Sequence, residues 1–234
     1  MLARIVLKRR GQQDGESPFW ISFSDLMSAL MVLFLVVMAV TLVAVTQSID
    51  AATRDSIKRS QDISKLMALI SDDSKKSGVG VDQKNFRIDL GKDVRFESGS
   101  YTITPAARQF LRTYVPVLLD AKATPEGQRW LRSVVIEGFT DEDGAYLYNL
   151  QLSLDRSRSV VCALFESASG SDGLSPGQLR KVQELFLVGG YSFNSIKKDK
   201  AESRRVEFKV DFWGLGETQT RPSDVLKDKE FGKC

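Results

Sequence analysis

With 234 residues, the chain has room for one membrane segment and one ordinary soluble domain, not two. A net charge of +3 gives no reason to expect direct nucleic-acid binding, and the absence of histidine excludes His-based triads and ordinary histidine zinc sites. The two cysteines, Cys162 and Cys234, are too few for a disulfide framework. Ordinary usage predicts a buried Cys162 and a loose Cys234, although sequence alone does not decide a single bridge.

Residues 1–18 form a short basic tail, and 19–45 read as a transmembrane helix. Leu26 to Val45 is twenty residues with only Ser28 and Thr41 polar. At about 1.5 Å per residue such a helix crosses a hydrocarbon core of about 30 Å. Phe19 and Trp20 stand at its leading edge, where aromatic rings favour the headgroups. A cleaved signal peptide has a shorter apolar region, about 7–15 residues, so an uncleaved signal-anchor is expected. Arg4, Lys8, Arg9 and Arg10 before the span and Arg54, Lys58 and Arg59 after it barely bias orientation. The short leading tail and large remainder favour a cytoplasmic N-terminus.

Asp25 is the one carboxylate in this run. A charged Asp inside a membrane helix costs roughly 2.5–3.5 kcal/mol. It either stays wet near the inner headgroups, as a cap after Ser24, or is submerged beyond Trp20, Ile21 and Phe23. A submerged acid prefers to be neutral and can take a proton on one side and release it on the other.

Residues 46–84 read as a helical linker beyond the membrane. Ile63, Leu66, Met67 and Ile70 make one helical stripe. It fits a contact between two copies, a channel plug, or packing on the chain's own C-terminal domain. The polar, glycine-containing stretch 71–84 is the expected domain boundary.

Residues 85–213 then show an α+β pattern. Phe86, Ile88 and Leu90 alternate as a half-buried strand does. Thr104 and Pro105 open a helix that Pro116 is expected to kink or shorten. "SVVIEGF" reads as a central strand, the run from Ala145 to Glu166 as a long helix, and "SASGSDGLSPG" as a loop. "QLRKVQELF" reads as a helix, followed by the strands "LVGGY" and "RRVEFKVDFW". The tail 214–234 is polar and expected to be loose.

Two stretches resemble known families. Trp20, Ser24, Asp25, Leu26, Met27 and Ser28 resemble the transmembrane helix of the MotB family of ion-driven motor subunits, with Ser24 and Leu26 where flagellar members usually carry Ala and Phe. The resemblance implies that Asp25 is the ion-carrying carboxylate, in a homodimer held within a ring of a MotA-like polytopic subunit. Gly138, Thr140, Asp141, Gly144, Asn149, Leu152, Ser153 and Arg156 resemble the OmpA-like peptidoglycan-binding motif, and that likeness spans roughly 85–213. The family usually has Asn where this chain has Ser203.

Diaminopimelate in the wall peptide carries both an ammonium and a carboxylate. Asp141 is suited to the ammonium, and the planar fork of Arg156 to the carboxylate. Asn149, two helical turns before Arg156, is expected on the same face to orient the pair, with Thr140 beside them. An ordinary surface Asp–Arg pair is the plain alternative. The match also places the domain in the periplasm. No nucleophile–base pair or metal set is visible, so no enzyme activity, cofactor or metal is expected.

The short linker and tail, "SDLMS", and the aliphatic span resemble the ZorB family of Zorya anti-phage systems, whose ring partner is ZorA-like. A flagellar stator and a passive membrane-to-wall tether are the competing readings. A lone carboxylate suits protons, whereas sodium normally wants further oxygen ligands.

Overall fold

The computed structural model describes residues 17–166, 173–217, 231, 232 and 234. Its first helix, α1, runs Ser17–Lys76. The chain divides into two compact units, Met1–Arg54 and Asp55–Cys234. In the first, every described side chain from Leu26 to Val45 is exposed. A helix apolar on all sides has no soluble face, and this one is long and apolar enough to cross a bilayer.

The second unit begins with the remainder of α1. Ile63, Leu66, Met67 and Ile70 are buried in one core with the strands and helices that follow. Of the three readings of this stripe, packing on its own domain is the one observed. The compact unit therefore starts at Asp55, not after the polar stretch 71–84. Part of that stretch is structural too. Ser74 is buried and hydrogen-bonds the Tyr114 hydroxyl at 2.7 Å, and Gly80–Asp82 forms a strand, β1. Burial pushes the Tyr114 phenol up to about 12, against the opposing pull of Ser74.

Next come β2 (Arg87–Asp89), α2 (Pro105–Ala123), α3 (Pro125–Trp130), β3 (Leu131–Gly138) and α4 (Tyr146–Phe165). They are followed by α5 (Pro176–Leu185), β4 (Phe186–Gly190), α6 (Lys200–Ser203) and β5 (Val206–Phe212). The sheet order is β1-β2-β5-β3-β4, with β3 and β4 parallel and the other pairs antiparallel. This is the α+β architecture that the pattern predicts, with β3 an interior strand between β5 and β4. α2 opens as expected: Thr104 accepts the Ala107 N–H at 3.1 Å, and Pro105 occupies the first turn. Pro116 does not end it. The helix continues to Ala123 because buried Val115, Leu118 and Leu119 hold both sides of the lost N–H.

Most of the tail expected to be loose, 218–230 and 233, lies outside the described residues, but its last residue is tied to the domain. Cys234 is disulfide-bonded to Cys162 on α4, which is only half buried. The Phe231 ring packs on Phe165 with centroids 5.0 Å apart. A bridge 72 residues long in sequence joins elements that no local pattern relates. It suits an oxidising compartment.

Ile88, Phe208 and Ile136 form one cross-strand row on the core face. The neighbouring row, on the other face, sets Asp89, Glu207 and Glu137 side by side. Like charges directly opposite one another destabilise a sheet. Arg87 Nη1 donates to both Glu137 and Glu207, and Arg205 Nε donates to Glu207 at 2.6 Å. Burial pushes the Glu207 carboxyl up, but Arg205, Arg87 and Lys197 outweigh it and hold it below its ordinary value.

A carboxylate lowered in the native state stabilises fully above its unfolded value, about pH 4, and loses that contribution as pH falls through its native value. Arg87→Ala is expected to cost on the order of 3 kcal/mol at neutral pH, because it strands buried Glu137 and takes from Glu207 one of the cations around it, leaving Arg205 and Lys197. Denaturant titration of the full chain should show this deficit shrinking as pH drops below about 4. A pH-independent deficit would count against the ionic origin.

Candidate functional site

The site lies where β3 hands over to α4. Helix α4 crosses so close to the strand end that a Cβ on Gly138 would stand 2.0 Å from the Ser153 carbonyl oxygen. Gly144, at φ +101°, makes the turn into the helix. No side chain caps α4. Asn149 in its first turns instead reaches back, donating Nδ2 to the Asp143 carbonyl at 2.9 Å. This fixes the loop that carries Asp141.

Arg156 is 0 % exposed. Its Nε donates to Ser100 O at 2.9 Å, Nη1 to Phe139 O at 2.8 Å and Nη2 to Glu97 O at 3.0 Å. The Phe96 ring centroid lies 5.2 Å from its guanidinium carbon. These bonds use one hydrogen on each nitrogen. Among the described residues, one N–H on each terminal nitrogen is left. Burial pushes Arg156 down to about 10, the charge of Asp141 opposes this, and Arg204 adds to it. It stays cationic at neutral pH.

Asp141 is 5 % exposed and accepts from Arg204 Nη1 at 2.9 Å. Arg204 Nε in turn donates to the Phe96 carbonyl at 3.1 Å. Thr140 and Asn149 are buried beside them, and Thr140 Oγ1 and Asn149 Oδ1 are buried without a hydrogen-bond partner among the described residues. Such atoms are rare in native interiors, where water, an ion or a bound group ordinarily meets them.

The four predicted residues of this segment therefore converge, with two differences from expectation. Asn149 does not bond Asp141 or Arg156 among the described residues; it shapes their loop. Arg204, which sequence reasoning left out of the site, is the direct partner of Asp141. Its position in "SRRVEF" held the only signal, and 63 residues separate the two in sequence. Asp25 belongs to the other unit. It is exposed on α1, with no hydrogen bond or ion pair among the described residues, and the nearby Ser28 hydroxyl bonds Ser24 O at 2.8 Å. No group of His, Cys, Asp or Glu suited to a metal occurs among the described residues.

Residues 95–192 match the OmpA family. The chain is 41% identical over 222 residues to the Zorya protein ZorB of Escherichia coli O139:H28, covering 94% of this chain and 90% of that protein. A Zorya protein ZorB from a second Escherichia coli strain is 26% identical over 226 residues, covering 88% and 93%. The periplasmic domain of Helicobacter pylori MotB overlaps 56% of this chain and 78% of that one at 15% identity, with a TM-score of 0.39. With 41% identity to the ZorB of Escherichia coli O139:H28 along nearly the whole of both chains, the protein belongs to the ZorB family and carries an OmpA family domain behind a helix able to span a membrane.

Proposed function

We propose that the protein is a non-enzymatic, stator-type subunit of an ion-driven motor in Zorya anti-phage defence. It sits in the bacterial inner membrane as a single pass, N-terminus in the cytoplasm. Its periplasmic domain grips the diaminopimelate of peptidoglycan. Asp25 carries the ion, a proton in view of its lone carboxylate. The working unit is a homodimer inside a ring of a MotA-like, ZorA-type partner. Force needs both ends, because a ring does work only against something held still.

The observation that carries the wall-binding half is a buried guanidinium beside a buried carboxylate, with orphaned Thr140 Oγ1 and Asn149 Oδ1 next to them. Asp141 accepts the ligand ammonium in competition with Arg204. The free N–H groups of Arg156 face the ligand carboxylate. In such a dry site a charge-assisted hydrogen bond is worth about 1.5–3 kcal/mol. Asp141→Ala should therefore weaken binding by roughly 10- to 100-fold. Co-sedimentation of the full chain with insoluble peptidoglycan, competed by free diaminopimelate, measures this. Wild-type sedimentation of the variant would refute the site.

A further inference from the structure

Strand β4 closes one side of the sheet and β1 the other. An edge strand leaves a row of N–H and C=O groups without a ladder partner, and natural proteins blunt such edges with charge, proline or brevity. β1 is three residues long and ends on Asp82, whose carboxylate is taken up by the turn at Lys84 and Asn85. β4 carries neither charge nor proline. Both of its faces are apolar and open. Leu187, on the face away from the core, is 54 % exposed. Val188 is in register with wholly buried Ile136 on the core face yet is 45 % exposed, so the helix layer stops short of this edge. Exposed Leu154 of α4 continues the patch, packed so closely that a Cβ on Gly190 would stand 2.6 Å from its Cγ.

The lack of charge extends beyond the strand. From Leu185 to Ile196 the sequence has no Lys, Arg, Asp or Glu. On the neighbouring strand, Glu137 stands opposite Gly189, but it is wholly buried and held by Arg87. This says what kind of strand fits. An edge that meets an unlike partner is free to use complementary charges to choose it. An edge that meets its own copy about a two-fold axis sets each residue against itself or a near neighbour, so any charge meets its like.

We propose that β4 pairs antiparallel with β4 of a second copy of this chain, joining two five-stranded sheets into one. The inference rests on the homodimer reading above and gives that dimer a contact outside the membrane span. One pair of short strands is too small to hold two free proteins together. Copies already joined through their membrane helices meet at high effective concentration, so the pairing needs little strength of its own. β4 runs parallel to β3, whose end leads to Asp141 and Arg156. Antiparallel pairing therefore sets the two copies of the site at opposite ends of the joined sheet. Two separated holds resist twisting, whereas a single hold is a pivot.

The test places one cysteine at a time in the full chain, in membranes that also hold its ring partner, and treats them with a flexible bismaleimide. Cys162 and Cys234 are bridged and do not react. Leu187→Cys and Val188→Cys should cross-link into dimers at least about tenfold more than Gly80→Cys on the other edge. Adding Leu187→Lys to Val188→Cys sets like charges together and should cut the yield about tenfold. Leu187 is exposed, so the lysine should leave the thermal midpoint unchanged. Photobleaching steps of labelled complexes count the copies. Two copies with equal cross-linking at both edges, or with cross-linking that survives Leu187→Lys, overturn the β4 pairing alone. A single copy overturns the homodimer reading on which it rests. Cross-linking of Val188→Cys to a different protein overturns the choice of occupant.

Discussion

Asp25→Asn is expected to reduce ion flux through the assembled complex to background while leaving peptidoglycan binding unchanged. Asparagine has nearly the same shape and still hydrogen-bonds, but it cannot take up and release a proton. The change therefore removes the chemistry and spares the helix. Asp25 sits in a compact unit separate from the one that holds Asp141 and Arg156, so the wall-binding unit should keep its thermal midpoint. Protein reconstituted into vesicles with its ring partner, under a proton gradient alone, gives the direct readout. Survival of cells challenged with phage gives the biological one. Full flux or full protection by Asp25→Asn would leave only a tether between membrane and wall.

Arg156→Ala should produce the largest structural effect in the second unit. The side chain is wholly buried, and its three nitrogens satisfy the carbonyls of Glu97, Ser100 and Phe139, which come from two separate segments. Alanine strands all three acceptors and leaves a cavity, at a cost on the order of 4 kcal/mol. Binding is lost with it, so alanine alone does not separate ligand contact from scaffold. Arg156→Lys does. An ammonium keeps the charge and can satisfy some of the carbonyls, but it lacks the fork that meets a carboxylate with two parallel N–H groups. The lysine variant should recover about half of the lost stability, as judged by denaturant midpoint, yet stay at least tenfold weaker for diaminopimelate. Parallel recovery of stability and affinity would make Arg156 a scaffold residue and move ligand recognition elsewhere.

The two arginines of the site show how far local pattern carries. Arg156 stands at a fixed distance from Asp141 along a strand, a turn and a helix, and that geometry is set by local backbone. Arg204 meets Asp141 only because β5 pairs with β3 and delivers the residues before it to the same end of the sheet. Register across strands is a property of the whole sheet, and no spacing within either segment encodes it. The same holds for the row of Asp89, Glu207 and Glu137, where each strand alone reads as an unremarkable alternation.

By itself the sequence determined what depends on nearest neighbours and on solvent preference. The long apolar helix follows from a twenty-residue run with only Ser28 and Thr41 polar, the α2 start from Thr104 and Pro105, the interior strand β3 from its apolar run, and the candidate site's residues were read from one continuous segment. Tertiary structure alone decided which surface covers the stripe at Ile63–Ile70, that Cys234 reaches Cys162, that Pro116 is carried within a helix, and that Arg204 holds Asp141. The physical reason is common to all four. Periodicity and composition show that a group needs burial or a partner, but the partner is chosen by the close packing of elements far apart in the chain.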